Sequence, residues 1–181
     1  KDPSKSEAFM KMVGAFTGRD ELRPAMQYVK VDERITATNG HLLVSLPNPD
    51  GKGESELICP PSKKKCDSID DRGGRAIYPN VSTILRLGQD EGFLGAIDDV
   101  SEVYKELKRY VDSNKYMTID GKRKTAYNHF PVLLDFEDMS GNTSLVNMEL
   151  FLKILKACLQ LGWYKISLEQ SGENRPIYVT D

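Results

Sequence analysis

Three segments of the chain repeat apolar residues at the three- and four-residue spacing of an amphipathic helix. The predicted helices cover residues 4–16, 98–112 and 148–162. Asp98 or Asp99 is expected to cap the second helix, because a carboxylate there can accept the free N–H groups of the first turn. Gly162 suits the left-handed residue that ends many helices, so the third helix should end there.

Segments rich in β-branched or alternating apolar residues predict antiparallel strands around these helices. They lie at residues 25–31, 34–38, 42–46, 56–59, 131–136, 143–147, 164–170 and 175–181, with a further hairpin over 117–127. Asn39-Gly40 stands between two such runs and predicts a two-residue type I′ turn, because both residues tolerate positive φ. Strands joined by hairpins, with helices to one side, indicate an α+β class.

A helix followed by antiparallel strands occurs twice, and this order predicts an internal structural duplication. The two halves cover about residues 4–59 and 117–181, and residues 60–116 form an insertion that carries the helix near 98–112. We therefore expect residues 1–181 to form one domain, with two helices on one side of an antiparallel sheet.

The net charge limits the classes of partner. Lys and Arg number 25 against 27 Asp and Glu, which gives a formal net charge of −2. A near-neutral chain is not expected to bind nucleic acid strongly without a basic face. Basic residues cluster at 63–65 and 122–124, whereas residues 90–106 are acidic. No apolar run approaches the roughly 20 residues that span a bilayer, so no membrane partner is expected.

The reactive residue types form no recognisable catalytic or metal-binding motif. The histidines, His41 and His129, have no serine or cysteine partner at a known spacing. Cys59, Cys66 and Cys158 lack zinc-site spacing and are odd in number, so we expect no disulfide framework and a cytoplasmic location. The sequence thus predicts a protein that is not an enzyme and has no catalytic residue, cofactor or metal.

Several segments, in order along the chain, resemble the bacterial sliding clamp family, the DNA polymerase III beta subunit. Residues 21–47, ELRPAMQYVKVDERITATNGHLLVSLP, are similar to a family stretch with an ATDGH signature, from which ATNGH departs at one residue. Residues 76–85, AIYPNVSTIL, resemble a second family segment. Residues 143–181 resemble the closing strand–helix–strand module, with Pro176-Ile177 at its characteristic Pro-Val position.

This resemblance implies a clamp-like fold and a non-enzymatic DNA-replication accessory protein that binds duplex DNA, replication proteins or both. Clamp helices face DNA, and here Lys11, Lys153, Lys156 and Gln160 occupy the polar arcs of the first and last helices. If the chain encircles DNA, several copies must assemble. The two helices would pack side by side through Phe9, Phe16, Phe151 and Leu155, and the acidic residues 90–106 would lie away from the DNA-facing side.

Two other interpretations remain open. The lysines can belong to an ordinary solvated helix face, because three cations are few compared with the 6–10 phosphate contacts of strong DNA binders. The chain can also be a protein-interaction module that has a clamp fold and no DNA-binding role. Its near-neutral charge and the acidic region 90–106 motivate this alternative.

Overall fold

A computed structural model of the protein describes residues 3–19, 23–51, 54–69, 77–86, 92–114, 116–125, 133–137, 143–170 and 177–181. The chain divides into two compact units, Lys1–Asn80 and Val81–Asp181. The antiparallel sheets and helices agree with the predicted mixture of α and β structure. The sequence predicted one domain made of two halves, with two helices on one side of one sheet. Both of these points stay predictions.

The first unit combines one helix with a four-stranded antiparallel sheet of order β3-β2-β1-β4. Its elements are α1 (Pro3–Gly14), a 3-10 turn (Pro24–Gln27), β1 (Val29–Val31), β2 (Arg34–Thr38), β3 (Leu43–Pro47) and β4 (Glu56–Ile58). Helix α1 contacts β2, and Val13 on the helix and Ala37 on the strand are both fully buried. The predicted strand over 25–31 is wrong in its first half, because Pro24 has the fixed φ that begins a helical turn.

The loop between β2 and β3 differs from the predicted two-residue turn. The strand pairing ends at Thr38 and Leu43, and within the loop of residues 39–42 the N–H of Asn39 donates to the carbonyl of Leu42 at 3.2 Å. Gly40 has a φ of 87°, whereas Asn39 does not have a positive φ. Instead, Asn39 Oδ1 accepts the backbone N–H groups of His41 and Leu42, at 2.9 and 2.8 Å. The type I′ prediction is therefore wrong. The loop has four residues instead of two, and the Asn39 side chain accepts the N–H groups that would otherwise need backbone carbonyls.

The second unit contains three helices and seven strands among its described residues. They are α2 (Val81–Arg86), β5 (Gly92–Ile97), α3 (Val100–Ser113), β6 (Tyr116–Ile119), β7 (Lys122–Thr125), β8 (Leu133–Glu137), β9 (Thr143–Asn147), α4 (Met148–Leu161), β10 (Ile166–Gln170) and β11 (Ile177–Thr180). A three-stranded antiparallel sheet has the order β11-β10-β5, and β6-β7 and β8-β9 form separate hairpin pairs. The β6–β7 turn uses Asp120 and Gly121, with φ of 51° and 70°, as a two-residue type I′ turn requires.

Strand β5 and helix α2 lie within residues 60–116 and were not predicted from the pattern. Strand β5 pairs with β10, with Ile97 opposite Ile166. Its sequence, GFLGAI, contains two glycines, which weaken the strand signal because glycine contributes no side chain to packing. Part of the predicted insertion is therefore a strand of the second unit's sheet.

Helix α3 packs against α4 and completes the hydrophobic core of the second unit. The buried core residues are Leu94, Val100, Leu107, Phe151, Leu155, Cys158, Ile166 and Leu168. The backbone N–H of Val100 donates to the carbonyl of Tyr164 at 3.0 Å, so the start of α3 lies beside the end of α4. The predicted packing of the helices at 4–16 and 148–162 against each other stays a prediction. Within the second unit, α4 packs against α3.

The predicted cap of α3 and the predicted end of α4 are confirmed, and Asn147 adds a cap that was not predicted. Asp99 caps α3, and its Oδ1 accepts the N–H of Glu102 at 2.9 Å. Asn147 caps α4 and accepts the N–H groups of Glu149 and Leu150. Gly162 ends α4 with a φ of 82°, a left-handed conformation that costs glycine little.

Gly162→Ala is expected to lower the free energy of unfolding of the second unit by about 1 kcal/mol, the cost of a left-handed residue with a Cβ. Nothing lies within 4 Å of the added Cβ, so the loss comes from the backbone alone. Urea unfolding followed by the fluorescence of Trp163, the sole tryptophan, measures it. The exposed substitution Gln160→Ala is the control, and an equal effect of both would contradict the prediction.

The expectation of no disulfide is wrong, because a disulfide joins Cys59 and Cys66. The intervening chain turns back, and the N–H of Lys63 donates to the carbonyl of Pro60 at 2.9 Å. This turn brings the two cysteine Cα atoms to 5.9 Å, within the range that a disulfide spans. No helix among the described residues is long and apolar enough to cross a membrane.

Candidate nucleic-acid interface

The three predicted α4 residues share one exposed stripe. Lys153, Lys156 and Gln160 are exposed and follow one another at spacings of three and four residues, so they project from the same side of the helix. Phe151 and Leu155, on the opposite side, are 2% and 0% exposed. The amphipathic pattern therefore predicted correctly which α4 side chains meet solvent.

Helix α3 adds a second set of exposed charges beside α4, which the sequence analysis had not included in the site. The exposed charged residues of α3 are Glu102, Lys105, Glu106, Lys108, Arg109 and Asp112. The Lys108 ammonium pairs with the Asp112 carboxylate one turn later. Lys105 and Arg109, also one turn apart, have no ion-pair partner among the residues that the structure describes. Two cations on α3 are thus available to an external anion.

Charges of both signs are present on the helix pair. Together α3 and α4 carry five cations and four anions, a slightly basic composition in a chain whose net charge is −2. Part of the acidic region, residues 100–106, lies on α3, which packs against α4. Its expected position away from the DNA-facing side stays a prediction. Glu102 and Glu106 lie on this neighbouring helix and reduce its positive potential.

One side of α3 borders an open groove of about 490 Å³. Its described lining consists of Tyr104, Lys105, Lys108, Arg109, Asp112 and Ser113. The groove thus combines three cations with one carboxylate, and that carboxylate is already paired with Lys108. Such a lining favours an anionic ligand over a neutral or cationic one.

Lys11 belongs to the first unit and is partly neutralised. Its Nζ lies 3.3 Å from Glu7 Oε1, and both side chains are more than half exposed. Exposed pairs of this kind contribute little to stability and are weakened by salt. The predicted placement of Lys11 on the same side of the molecule as the α4 residues stays a prediction.

The other singled-out residues add no catalytic arrangement. His41 is exposed in the β2–β3 loop, and His129 lies outside the described residues. Burial raises the pKa of the Cys158 thiol to about 11, so at neutral pH it is protonated and a poor nucleophile. No group of three or more potential metal ligands occurs in the described part of the chain.

Comparison with known proteins supports the fold alone. No protein-family model matches the sequence, and no curated protein matches it. The structure is similar to the crystal structure of a DNA polymerase sliding clamp from Bacillus subtilis, with a TM-score of 0.55 and 13% sequence identity. The match covers 98% of this chain and 58% of the clamp chain, so this chain spans little more than half the length of that protein. The fold is clamp-like.

Proposed function

We propose that the protein is a non-enzymatic DNA-replication accessory protein that binds duplex DNA through the exposed sides of α3 and α4. The observation that carries the proposal is the packed helix pair, which presents Lys105, Arg109, Lys153 and Lys156 to solvent. The clamp-like fold supports the same function, because the similar structure is that of a DNA polymerase sliding clamp. The proposed activity uses no cofactor or metal.

The charge composition of the helix pair determines the kind of binding. Ammonium and guanidinium groups contact phosphates without reading sequence, and each phosphate neutralised releases counterions from the duplex. Because four anions accompany five cations, the affinity should be low and strongly reduced by salt. Weak contacts of this type suit a protein that moves along DNA rather than one that holds a single site.

Lys153→Glu together with Lys156→Glu is expected to weaken duplex binding. If each lysine contacts one phosphate, the slope of log affinity against log salt should fall by about 2, since each phosphate contact contributes about 0.9. Fluorescence anisotropy with a labelled duplex of arbitrary sequence, over a series of low salt concentrations, measures the slope. Stability should change little, because both side chains are exposed.

The matched control is Lys64→Glu with Lys65→Glu, which changes the net charge equally at exposed positions outside both helices. Equal loss of affinity in the two double variants would show that only net charge matters and would contradict the proposed interface. Light scattering with and without duplex tests whether several copies assemble on DNA. A monomer that ignores duplex at low salt would overturn the function.

A second candidate is a protein-interaction module that has the clamp-like fold and does not bind DNA. The observation that favours it is the mixed charge of α3, together with Tyr110 on the same helix, whose side chain is 52% exposed. Aromatic residues are enriched in protein interfaces. Recovery of a specific protein that Tyr110→Ser no longer binds, with no duplex binding at low salt, would support this candidate over the first.

A further inference from the structure

The disulfide closes the loop from Cys59 to Cys66 into a ring, and other contacts attach this ring to the first unit. Lys63, midway between the cysteines, points inward, and its Nζ donates to the carbonyls of Gly18 and Gln27 at 2.6 and 3.0 Å. These carbonyls follow α1 and end the 3-10 turn, so one ammonium joins the loop to two separate parts of the unit.

Asp67, which follows the second cysteine, is attached to the first unit by hydrogen bonds to Gln27 and Tyr28. Gln27 is 6% exposed, and its Nε2 donates to Asp67 Oδ2 at 2.6 Å while its Oε1 accepts the N–H of Asp67 at 3.2 Å. The hydroxyl of Tyr28 donates to the carbonyl of Asp67 at 2.7 Å. At the other end of the loop, Pro60 packs so closely on Gly14 that a Cβ there would lie 2.5 Å from Pro60 Cβ.

The inward position of Lys63 is unfavourable for its charge. Burial, followed by repulsion from Arg19, lowers the pKa of its ammonium. Two carbonyls replace only part of the hydration that a lysine has in water. A closed loop holds the lysine in place at a smaller entropic cost than an open one. We therefore expect the inward position of Lys63 to depend on the closed ring.

The surroundings of the cysteines favour exchange with an external thiol. Cys59 is half-buried, whereas Cys66 is 7% exposed, so an external thiol is expected to attack at Cys59. Three lysines precede Cys66, and Lys64 and Lys65 are exposed. Positive charge close to a disulfide attracts the thiolate anion that attacks it in disulfide exchange.

From this arrangement we propose that Cys59–Cys66 is a reversible thiol–disulfide site whose opening by a dithiol releases residues 59–67 from the first unit. A thiolate of the dithiol attacks the sulfur of Cys59, the S–S bond breaks, and Cys66 leaves as a thiolate that takes up a proton. The second thiol of the dithiol then displaces Cys59 and closes its own disulfide. The protein gains two electrons and two protons, and the dithiol loses them. This site is independent of the proposed DNA binding.

Alkylation of the full chain without denaturant tests the first step. After incubation with dithiothreitol, iodoacetamide should label Cys59 and Cys66 and leave Cys158, which is 3% exposed, unlabelled. A cysteine introduced by Ala37→Cys, at a fully buried position of the first unit, should also stay unlabelled unless this unit unfolds. Removal of the reductant and addition of oxidised dithiothreitol should restore the disulfide. Labelling of Cys59 and Cys66 only as fast as the buried cysteines would overturn the proposal.

Limited trypsin digestion tests the release of the loop, since Lys64 and Lys65 are cleavage sites within it. Cleavage after these residues should be at least about tenfold faster in the reduced protein, because cleavage follows the population of the open form. Cys59→Ser with Cys66→Ser should be cleaved rapidly with or without dithiothreitol, and the exposed hairpin site at Lys122 should be cleaved equally in all samples. Equal rates in oxidised and reduced protein would overturn the proposal.

Discussion

Phe151→Ala should lower the free energy of unfolding of the second unit by about 4 kcal/mol, within the range for removal of a buried phenylalanine. Phe151 is 2% exposed and belongs to the cluster that joins α3, α4 and the sheet strands β5 and β10. The deletion removes apolar burial and leaves a cavity that the surrounding helices and sheet can only partly fill. Trp163 packs against the same cluster, so its fluorescence during urea unfolding reports the change.

The control for this prediction lies two residues away on the same helix. Lys153→Ala replaces an exposed side chain and should change the stability by less than about 0.5 kcal/mol. Alanine is a better helix former than either phenylalanine or lysine, so helix propensity cannot explain a loss of stability in Phe151→Ala. A loss below about 1 kcal/mol for Phe151→Ala would show that the cluster is not the stabilising core of this unit.

Helix positions and their buried sides were predictable because they depend on local periodicity. The apolar residues of α4 recur every three or four positions, and the structure buries Phe151, Leu155 and Cys158 while Lys153 and Lys156 remain exposed. The helix ends were predictable for the same reason, because Asp99 and Gly162 act on neighbouring backbone groups. These features required no knowledge of distant contacts.

Features that depend on distant partners were not predictable from local patterns. Strand β5 is defined by its pairing with β10, about 70 residues later in the chain, and its two glycines concealed it. For the same reason α3 was assigned to an insertion, although it packs against α4. The candidate interface was consequently assigned to Lys11 and to three residues of α4. It lacked Lys105 and Arg109 of α3, the helix that packs against α4.

Local geometry that depends on a single side chain was also missed. The cluster of basic residues at 63–65 did not reveal that Lys63 points inward to the carbonyls of Gly18 and Gln27. The same reasoning took an odd number of cysteines as evidence against a disulfide, although one pair and one buried thiol fit the number equally well. Cys158, on the apolar side of α4, is the buried thiol.

Cys59→Ser together with Cys66→Ser should lower the stability of the first unit by about 2.5 kcal/mol. The disulfide closes a ring of eight residues, and the chain-entropy relation gives about this value for so short a loop. Opening the ring also raises the entropic cost of placing Lys63 at its two carbonyl acceptors. The loss of stability should therefore be at least about 2.5 kcal/mol. Hydrogen exchange of the amides in β1 and β2, read by mass spectrometry, measures the stability of this unit separately from the second one.

Lys64→Ser, an exposed change within the same ring, is the control and should leave exchange in β1 and β2 nearly unchanged. The wild-type chain in excess dithiothreitol should show the exchange rates of the double serine variant, because both lack the same covalent bond. Amides of α4 should be unaffected in every sample, since the disulfide lies in the first unit. If the double variant and the oxidised wild type exchange equally in β1 and β2, the disulfide does not stabilise this unit.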